Sequence, residues 1–532
     1  MRTGKWFYLL FLLIGSLTAV NAQSESKLTE RLQTSITQKG EEAEVRAWIF
    51  FNDKGPTIEA KLREAEANLT PRALRRRLRN RGKNNLVDFK DIPVNPAYIS
   101  RIRPNVNKIR HKSRWLNAVS VQASGRALRQ LEAKPFIKKI DIVVSARLPQ
   151  PQPESTAPFP PTESIGTLLD YGASYNQNNQ INTIPLHDMG YDGSGVVVCM
   201  LDAGFNNLTH EALDHLNILH TWDFVNGDSI VWDEPGQAGT GNHGTYTLST
   251  LGGFEPGQLV GPAFGASFLL GKTENTDWER HVEEDDWVAG AEWADSLGAD
   301  VISSSLGYRD FDPGEGSYTS QDMDGNTAIS TIGADIAASR GILVVTSAGN
   351  EGPASPPENS IVAPTDGDSV LSIGAVDGSG TRAGFSSMGP TADGRIKPNV
   401  MARGVSTYCA LPSGPSSYGG VSGTSLSCPL VAGAAALVMQ VNPHLTNMQV
   451  YRALELTASN AASPNNSYGW GIINTFDAAF YYTPQIVHTP LPDTEELTGP
   501  YPVQAEIISN FSLIGDSIRV YYRIGAGAFQ SV

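Results

Sequence analysis

A run of ten residues without a polar side chain, from Leu430 to Met439, constrains this chain more than any other stretch. Its small apolar residues indicate a helix that is buried on all sides. Gly423-Thr424-Ser425-Leu426-Ser427-Cys428-Pro429 precedes the run and puts Pro429 in the predicted first turn. A serine at such a helix start lies beside unpaired backbone N–H groups and the positive end of the helix dipole. The stretch therefore suits either a capped core helix or a nucleophile whose product is an oxyanion.

Charge is distributed unevenly along the 532 residues. Residues 1–149 contain 29 Lys and Arg against 13 Asp and Glu, whereas residues 150–532 contain 11 against 42. The basic part should therefore attract the acidic part, which is a simpler interpretation than nucleic-acid binding. The length predicts roughly two to four domains. The three cysteines, Cys199, Cys409 and Cys428, are too few for a disulfide framework, and those in apolar runs are expected to be free buried thiols.

The first 22 residues have the pattern of a signal peptide. Arg2 and Lys5 precede an apolar run from Trp6 to Leu17, and small residues then offer a cleavage site. The run is too short for a comfortable membrane span, and no later stretch is long and apolar enough for one. We therefore expect the mature protein to be exported and soluble, without a membrane span.

Residues 23–148 alternate between strand and helix patterns. Strands are predicted at Val45–Phe51, Ser113–Val121 and Ile137–Val144, and helical segments at 57–81 and Ala127–Leu131. This order predicts a small α+β domain. Prolines accumulate from Leu148 onwards, so residues 149–179 are predicted to begin as an extended linker at a domain boundary.

Short apolar strands alternate with helices between residues 180 and 482. The predicted strands are 195–201, 267–271, 301–305, 342–347 and 370–375, and the predicted helices are 243–252, 282–297, 327–339, 425–441 and 447–459. Strands without polar alternation are buried on both faces, so the pattern predicts an α/β domain with a mostly parallel sheet between helical layers. Chemistry in such domains collects at the carboxyl ends of the strands.

Four polar residues stand at the predicted strand ends or helix starts: Asp202, His243, Asn350 and Ser425. His243 can take the proton of the Ser425 hydroxyl near neutral pH, and a buried Asp202 would orient and stabilise the imidazolium. The Asn350 amide and the Ser425 backbone N–H can stabilise the resulting oxyanion. Each of these residues, taken alone, also has a structural interpretation as a capping or turn residue.

The local motifs around these residues resemble those of the subtilisin-like serine peptidases, the subtilases, in the same order. The matching segments are Leu201-Asp202-Ala203-Gly204, Asn242-His243-Gly244-Thr245, Ser305-Leu306-Gly307, Ser347-Ala348-Gly349-Asn350-Glu351-Gly352 and Gly423–Pro429. The resemblance implies a three-layer subtilisin-like fold and a secreted serine endopeptidase, with Asp202, His243 and Ser425 as catalytic residues and Asn350 in the oxyanion hole. It also implies substrate-binding positions, namely Ser305, Leu306, Gly307, Ala348 and Gly349. Two positions depart from the family pattern: Ala203 replaces the usual threonine or serine, and Asn399 replaces a common aspartate.

The same resemblance implies roles for the flanking parts of the chain. Residues 23–148 would be a propeptide that docks on the catalytic domain through its positive charge, with its tail near Ala146–Pro153 in the cleft. The alternative is a permanent binding domain. No cofactor is expected for the chemistry, whereas structural calcium is an option. The acidic loop Arg309–Asn326 offers four candidate ligands, Asp310, Asp312, Asp322 and Asp324, although their spacing does not match an EF-hand and a solvated acidic loop is the favoured interpretation.

Residues 483–532 have alternating patterns that predict antiparallel strands of an incomplete β-sandwich. Two alternatives to a subtilisin-type endopeptidase stay open. One is a catalytically idle relative that binds peptides or proteins in the same cleft. The other is an acid-active relative of the sedolisin type, which would use glutamate instead of His243. We expect protein or peptide substrates and the protein's own propeptide as partners, and no nucleic acid.

Overall fold

The computed structural model describes residues 26–143, 145–147, 153–155, 166–237, 241–274, 281–309, 317–488, 491, 495, 498–513, 515 and 518–532. The predicted signal peptide and most of the proline-rich linker lie outside these residues. The α-helices are α1 (Glu30–Lys39), α2 (Ile58–Ala67), α3 (Pro71–Arg81), α4 (Pro96–Ile102), α5 (Gly125–Glu132), α6 (Tyr175–Gln180), α7 (Ile184–Asp188), α8 (His243–Gly252), α9 (Glu284–Leu297), α10 (Ile329–Ser339), α11 (Thr424–Val441), α12 (Asn447–Leu456) and α13 (Thr475–Phe480).

The strands of the first half are β1 (Glu44–Phe51), β2 (Lys108–Ser113), β3 (Ala118–Ser124), β4 (Ile137–Ile142), β5 (Ser145–Arg147), β6 (Pro153–Ser155), β7 (Val197–Asp202), β8 (Asn217–Asp223), β9 (Phe254–Glu255), β10 (Leu259–Val260) and β11 (Ser267–Lys272). Those of the second half are β12 (His281–Glu283), β13 (Val301–Ser304), β14 (Leu343–Ser347), β15 (Val370–Val376), β16 (Val400–Arg403), β17 (Thr407–Ala410), β18 (Tyr418–Val421), β19 (Gln485–His488), β20 (Ala505–Ile508), β21 (Tyr521–Tyr522) and β22 (Gln530–Ser531).

The central sheet has seven strands in the order β16-β15-β14-β13-β7-β11-β8, and its neighbouring strands run parallel. Alternate residues of β7 face two separate apolar layers. Val197, Cys199 and Leu201 pack with α9 and α10, whereas Val198 and Met200 pack with α8, α11 and α12. This is the predicted three-layer α/β domain, and it collects the carboxyl ends of β7, β13 and β14 at one edge.

The N-terminal domain is an antiparallel four-stranded sheet of order β2-β3-β1-β4 with helices, as the α+β pattern predicts. Its apolar core continues into the layer formed by α9 and α10. The domain therefore lies on the helical face of the α/β domain rather than apart from it.

One detail of the N-terminal prediction was wrong. Residues 108–124 form a hairpin instead of one strand at Ser113–Val121, because Trp115 and Leu116 carry the apolar pattern through the turn. The helical segment at 57–81 is two helices, and the second begins at Leu69-Thr70-Pro71, a sequence typical of a helix start. Thr70 caps α3 there by accepting a hydrogen bond from the Ala73 N–H at 3.3 Å.

The predicted strands and helices of the α/β domain are present, with ends that differ by at most three residues. Two strands of the central sheet were missed, β8 and β16. Only the last residue of β8 is buried, because the strand lies at the edge of the sheet, and it lacks the continuous apolar pattern of the inner strands. The domain also includes residues before 180, since Tyr171 is fully buried and α6 precedes Ile181 in the core.

Among the described residues, α11 alone is long and apolar enough to cross a membrane, with a mean hydropathy of 1.5, but 89% of that helix is buried inside the protein. It is the core helix that its sequence predicts. The three cysteines are free and buried, as was expected for Cys199 and Cys428. The C-terminal β segments form two antiparallel pairs, β19 with β20 and β21 with β22, whose described side chains are largely exposed.

Candidate active site

The carboxylate of Asp202 and the ring of His243 meet at the carboxyl end of β7. Asp202 is the last residue of β7 and His243 is the first residue of α8. Oδ1 of Asp202 lies 2.6 Å from Nδ1 of His243 and also accepts the Ala203 N–H, and its Oδ2 accepts the Thr247 hydroxyl at 2.8 Å. Both side chains are buried. Because Nδ1 of His243 faces this carboxylate, the other ring nitrogen, Nε2, is left available for proton transfer.

Two glycines let these segments approach each other. A Cβ atom on Gly244 would lie 2.3 Å from the carbonyl oxygen of Gly204, and one on Gly241 would lie 2.2 Å from that of Ala203. Any side chain at these positions would push the α8 start away from the end of β7. The glycines beside Asp202 and His243 are therefore required by the pairing of these two residues.

Ser425 is the second residue of α11 and is buried. Pro429 lies in the second turn, not in the predicted first turn, so it removes the N–H that would bond the Ser425 carbonyl. The Ser305 hydroxyl donates to that carbonyl instead, at 2.9 Å. Ser305 thus completes the hydrogen bonding of the turn that carries Ser425, a contact that the sequence motifs did not reveal.

Asn350 follows β14 and faces the start of α11. Its Oδ1 accepts the N–H and the hydroxyl of Thr424, both at 2.9 Å, which directs Nδ2 away from these groups. A Cβ atom built on Gly423 would lie 3.7 Å from both Asn350 Nδ2 and the Ser425 backbone nitrogen. These two nitrogens therefore border one space beside the Ser425 turn, as an oxyanion site requires.

The predicted substrate-binding positions lie at the same edge of the sheet. Ser305, Leu306 and Gly307 follow β13, and Ala348 and Gly349 follow β14. The side chains of Ser305, Leu306 and Ala348 are buried, and Gly349 has a φ of 109°.

The sequence did not predict one further segment at the cleft. Strand β12 pairs antiparallel with β5, with Val282 opposite Ala146. The tail of the N-terminal domain therefore lies along an edge strand, in the way that an extended peptide can.

In the described part of the acidic loop, the carboxylates do not converge into a calcium site. Asp322 accepts the Thr319 N–H at 2.7 Å, and Asp324 accepts the N–H groups of Asn326 and Thr327 at 2.8 Å. Each carboxylate caps its own turn, and the two do not belong to a group of converging ligands among the described residues. Asp310 and Asp312 lie outside those residues.

The segments that carry this geometry also match a known family. Residues 193–471, more than half of the chain, match the Subtilase family. This chain belongs to the subtilases. Residues 46–157 match the Peptidase S8 propeptide domain of Bacteroidota. The protein is accordingly a serine-type endopeptidase with a propeptide domain.

Individual subtilases are similar over most of their length. Subtilisin NAT of Bacillus subtilis subsp. natto is 32% identical over 374 residues, which cover 70% of this chain and 83% of that protein. Subtilisin of Bacillus pumilus is 35% identical over 313 residues, 58% of this chain and 98% of that protein. Among solved structures, fervidolysin from Fervidobacterium pennivorans, a keratinolytic enzyme related to subtilisin, has a TM-score of 0.58 at 20% identity. That match covers 85% of this subtilase and 62% of the fervidolysin chain, and it shows that the two chains share a fold.

Three propeptide arginines converge on one buried carboxylate of the catalytic domain, that of Asp295 in α9. Arg76 forms an ion pair with it, Arg77 Nη2 lies 2.7 Å from Oδ2, and Arg114 Nη2 lies 3.0 Å from the same oxygen. Burial opposes the charged form of Asp295, but the three guanidinium groups outweigh it and lower its pKa to about 2. The predicted attraction between basic and acidic parts is thus concentrated in specific buried pairs.

A second cluster joins the propeptide to the start of α9. Arg110 Nε donates to Asp285 at 2.9 Å and its Nη2 to Asp286 at 3.0 Å, while His111 Nε2 contacts Asp286. The Ser120 hydroxyl also donates to Asp285. These two carboxylates lie in the first turn of α9, where they also suit the helix dipole, and they are buried and bind the propeptide.

The His111 contact makes propeptide docking dependent on pH. Burial opposes the imidazolium, but the hydrogen bond and charge of Asp286, with Asp285 behind it, raise the pKa of His111 above its ordinary value despite the nearby Arg110. Because docking raises the pKa of His111, the histidine contributes its full docking free energy below the pKa that it has in the undocked propeptide. This contribution is lost as pH rises through the pKa that His111 has in the docked state. Release of the cleaved propeptide should therefore accelerate as pH rises. The expected acceleration is about ten-fold for each pH unit by which docking raises the pKa of His111.

We expect the lag before activity appears, measured after dilution of the cleaved complex between pH 6 and pH 9, to shorten in this way. His111→Gln keeps a donor for Asp286 without titrating and should lose this part of the pH dependence. The same pH dependence in His111→Gln and the unsubstituted enzyme would contradict the assignment.

Proposed function

We propose that this subtilase is exported and cleaves peptide bonds through an acyl-enzyme on Ser425, with His243 as general base and Asp202 as its orienting carboxylate. The observation that carries the proposal is the 2.6 Å contact between Asp202 Oδ1 and His243 Nδ1 in a buried pocket. It supports a fixed tautomer with Nε2 available for catalysis. Neither an idle binding cleft nor a glutamate-based sedolisin site requires this pair.

The reaction needs only groups of the chain itself. His243 Nε2 takes the proton of Ser425 Oγ as that oxygen bonds to the substrate carbonyl carbon, and the carbonyl electron pair moves onto the oxygen. Asn350 Nδ2 and the Ser425 N–H donate to this oxyanion. When the C–N bond breaks, His243 returns the proton to the leaving amine. Water, deprotonated by His243, then releases the acyl group and regenerates the Ser425 hydroxyl.

Acyl-enzyme chemistry predicts a burst in pre-steady-state kinetics. An activated ester substrate should release one leaving group per active site before steady turnover begins. Casein hydrolysis at neutral pH should accompany it. An idle relative would show neither signal, and a sedolisin-type enzyme would turn over only in acid, so one pH series separates the three functions.

The oxyanion role of Asn350 can be distinguished from its contacts with Thr424. Asn350→Ala should lower kcat by about 10²–10³-fold with a small change in KM. Asn350→Asp retains an acceptor for the Thr424 groups but replaces the Nδ2 donor by a negative charge, so it should lose at least as much. If the residue served only to hold the turn, Asn350→Asp would retain activity. Steady-state kinetics on a peptide anilide measure both variants.

The propeptide supports an inhibitory role in the unprocessed chain. Its β5 pairs with β12 of the catalytic domain. Its β6, which begins six residues after the end of β5, pairs with β18. We propose that the chain is cut near Ala146–Pro153 after export and removal of residues 1–22. Sequencing the N-terminus of the active enzyme from the culture medium tests both steps, since an active enzyme that begins near Gln23 would exclude the second cut.

A further inference from the structure

A cavity of about 470 Å³ lies between α3 of the propeptide and the catalytic domain. On the catalytic side it is lined by the amino ends of β7 and β13, at the edge of the sheet opposite Asp202, and by the loop after α11. On the propeptide side it is lined by four arginines of α3: Arg72, Arg75, Arg76 and Arg79. Their spacing of three and four residues places them on one face of the helix.

This arginine face carries more positive charge than the protein neutralises. Arg76 is paired with Asp295, and Arg79 Nη2 lies 2.9 Å from Asp300. Among the described residues, Arg72 and Arg75 have neither a hydrogen bond nor a carboxylate partner. Within the same part of the chain, Nε of Arg79 is buried without an acceptor. Adjacent like charges on a helix oppose each other, so an anion bound at this face would offset their repulsion.

The docking geometry holds the arginine face in place. Gly298 has a φ of 87°, and a Cβ atom on it would lie 2.4 Å from Arg72 Cβ. Asn80, one turn beyond Arg76, donates to the Arg76 carbonyl and accepts the Asn447 N–H at 2.7 Å. The cavity wall on the catalytic side adds the exposed imidazole of His444. Both domains therefore contribute to a preformed space.

We propose that this cavity binds a phosphate-class oxyanion, either inorganic phosphate or a short linear polyphosphate, and that the anion links the propeptide to the catalytic domain. A guanidinium group offers two parallel N–H donors that match the oxygens of a phosphate. The cavity volume falls in the range of about 300–1,000 Å³ that is usual for small-ligand sites. Because the site needs both domains, the anion binds only the docked state and strengthens docking by mass action.

The intact full-length chain carrying Ser425→Ala, whose propeptide stays attached, is the protein to test. Calorimetric titration with phosphate, pyrophosphate and tripolyphosphate, at constant ionic strength set by KCl, should show saturable binding of one anion per chain. Arg72→Gln with Arg75→Gln should weaken that binding at least ten-fold. Arg63→Gln with Arg103→Gln removes two exposed propeptide arginines elsewhere and should change it less than two-fold. Arg75→Gln alone, an exposed position that leaves the ion pairs intact, provides a milder variant.

The effect on activation is a second readout. In the processed wild-type complex, anion at ten times its dissociation constant should slow propeptide release about ten-fold, and Arg72→Gln with Arg75→Gln should abolish this effect. Equal loss of binding in the control pair would overturn the proposal, as would absence of saturable binding by all three anions. Binding to the mature enzyme as tight as to the intact chain would also overturn it. Binding of heparin without binding of the small anions would assign the arginines to a polyanion surface instead and reject the site.

Discussion

Replacing Ser425 by alanine should lower kcat for peptide hydrolysis by roughly 10⁶-fold, the scale of nucleophile loss in serine peptidases. The substitution removes only Oγ, whose contact with the Ser305 carbonyl is long at 3.5 Å, while the Ser305 hydroxyl still donates to the residue 425 carbonyl. The fold should therefore persist, and substrate should still bind. The remaining rate would come from the oxyanion donors and the binding site. Kinetics on the variant and on the unsubstituted enzyme measure this change, after an added protease has removed the propeptide from both and has itself been removed, with protein concentrations set by absorbance.

Ser427→Ala is the matched control for Ser425→Ala. Ser427 lies in the same turn of α11, is equally buried, and donates only to the Thr424 carbonyl at 3.0 Å. Its loss should change kcat by a few-fold at most. A comparable loss in both variants would mean that the start of α11 is structurally sensitive and that Ser425 has no special chemical role.

Asp295→Ala should have the largest effect on the assembled precursor. Among the described residues, the substitution leaves the buried Arg76 without an ion-pair partner. Arg77 and Arg114 each lose one of two carboxylates, because Arg77 retains Asp91 and Arg114 retains Glu292. Removing one partner of a buried ion pair costs about 3–5 kcal/mol, because the remaining charge stays desolvated. We expect a loss of this size in the free energy of unfolding of the Ser425→Ala precursor, and a low yield of processed enzyme.

The control for Asp295→Ala is Glu42→Ala, which removes the propeptide ion pair between Glu42 and Arg126. Both of those side chains are more than half exposed, so the change should stay within about 1 kcal/mol. Urea unfolding of the two precursors compares them directly. The docking contribution of Asp295 should also decline as pH falls from about 4 towards 2, since its lowered pKa stabilises the complex only while the carboxylate is ionised. Equal unfolding free energies for both variants would contradict the interface account.

Sequence patterns predicted the α/β domain because its inner strands are buried on both faces. The run Val196–Leu201 has no polar residue, and the packing explains why, since its side chains enter both helical layers. Edge strand β8 escaped prediction because its residues before Asp223 are partly or fully exposed and form no continuous apolar run. The β2–β3 hairpin escaped because Trp115 is buried within the turn itself.

Those site residues that stand in a short, characteristic sequence segment could be predicted. Asp202 and His243 each stand in a short segment with its own signature, and the structure brings them together. Contacts between distant segments have no local signal. The donation from Ser305 to the Ser425 carbonyl, the pairing of β5 with β12, and the three arginines on Asp295 all join residues more than a hundred positions apart. Net charge predicted that the propeptide docks, but only packing selects which carboxylate is buried.

Labelling with a serine-directed phosphonate tests the catalytic proposal most directly. Mass spectrometry of the processed, active enzyme should find one phosphonyl group per chain, on the peptide that contains Ser425. Ser425→Ala should remain unlabelled, and His243→Ala should label far more slowly because Oγ has lost its base. Full inactivation with the label on another residue, or a processed enzyme that hydrolyses casein and never labels at Ser425, would contradict the account.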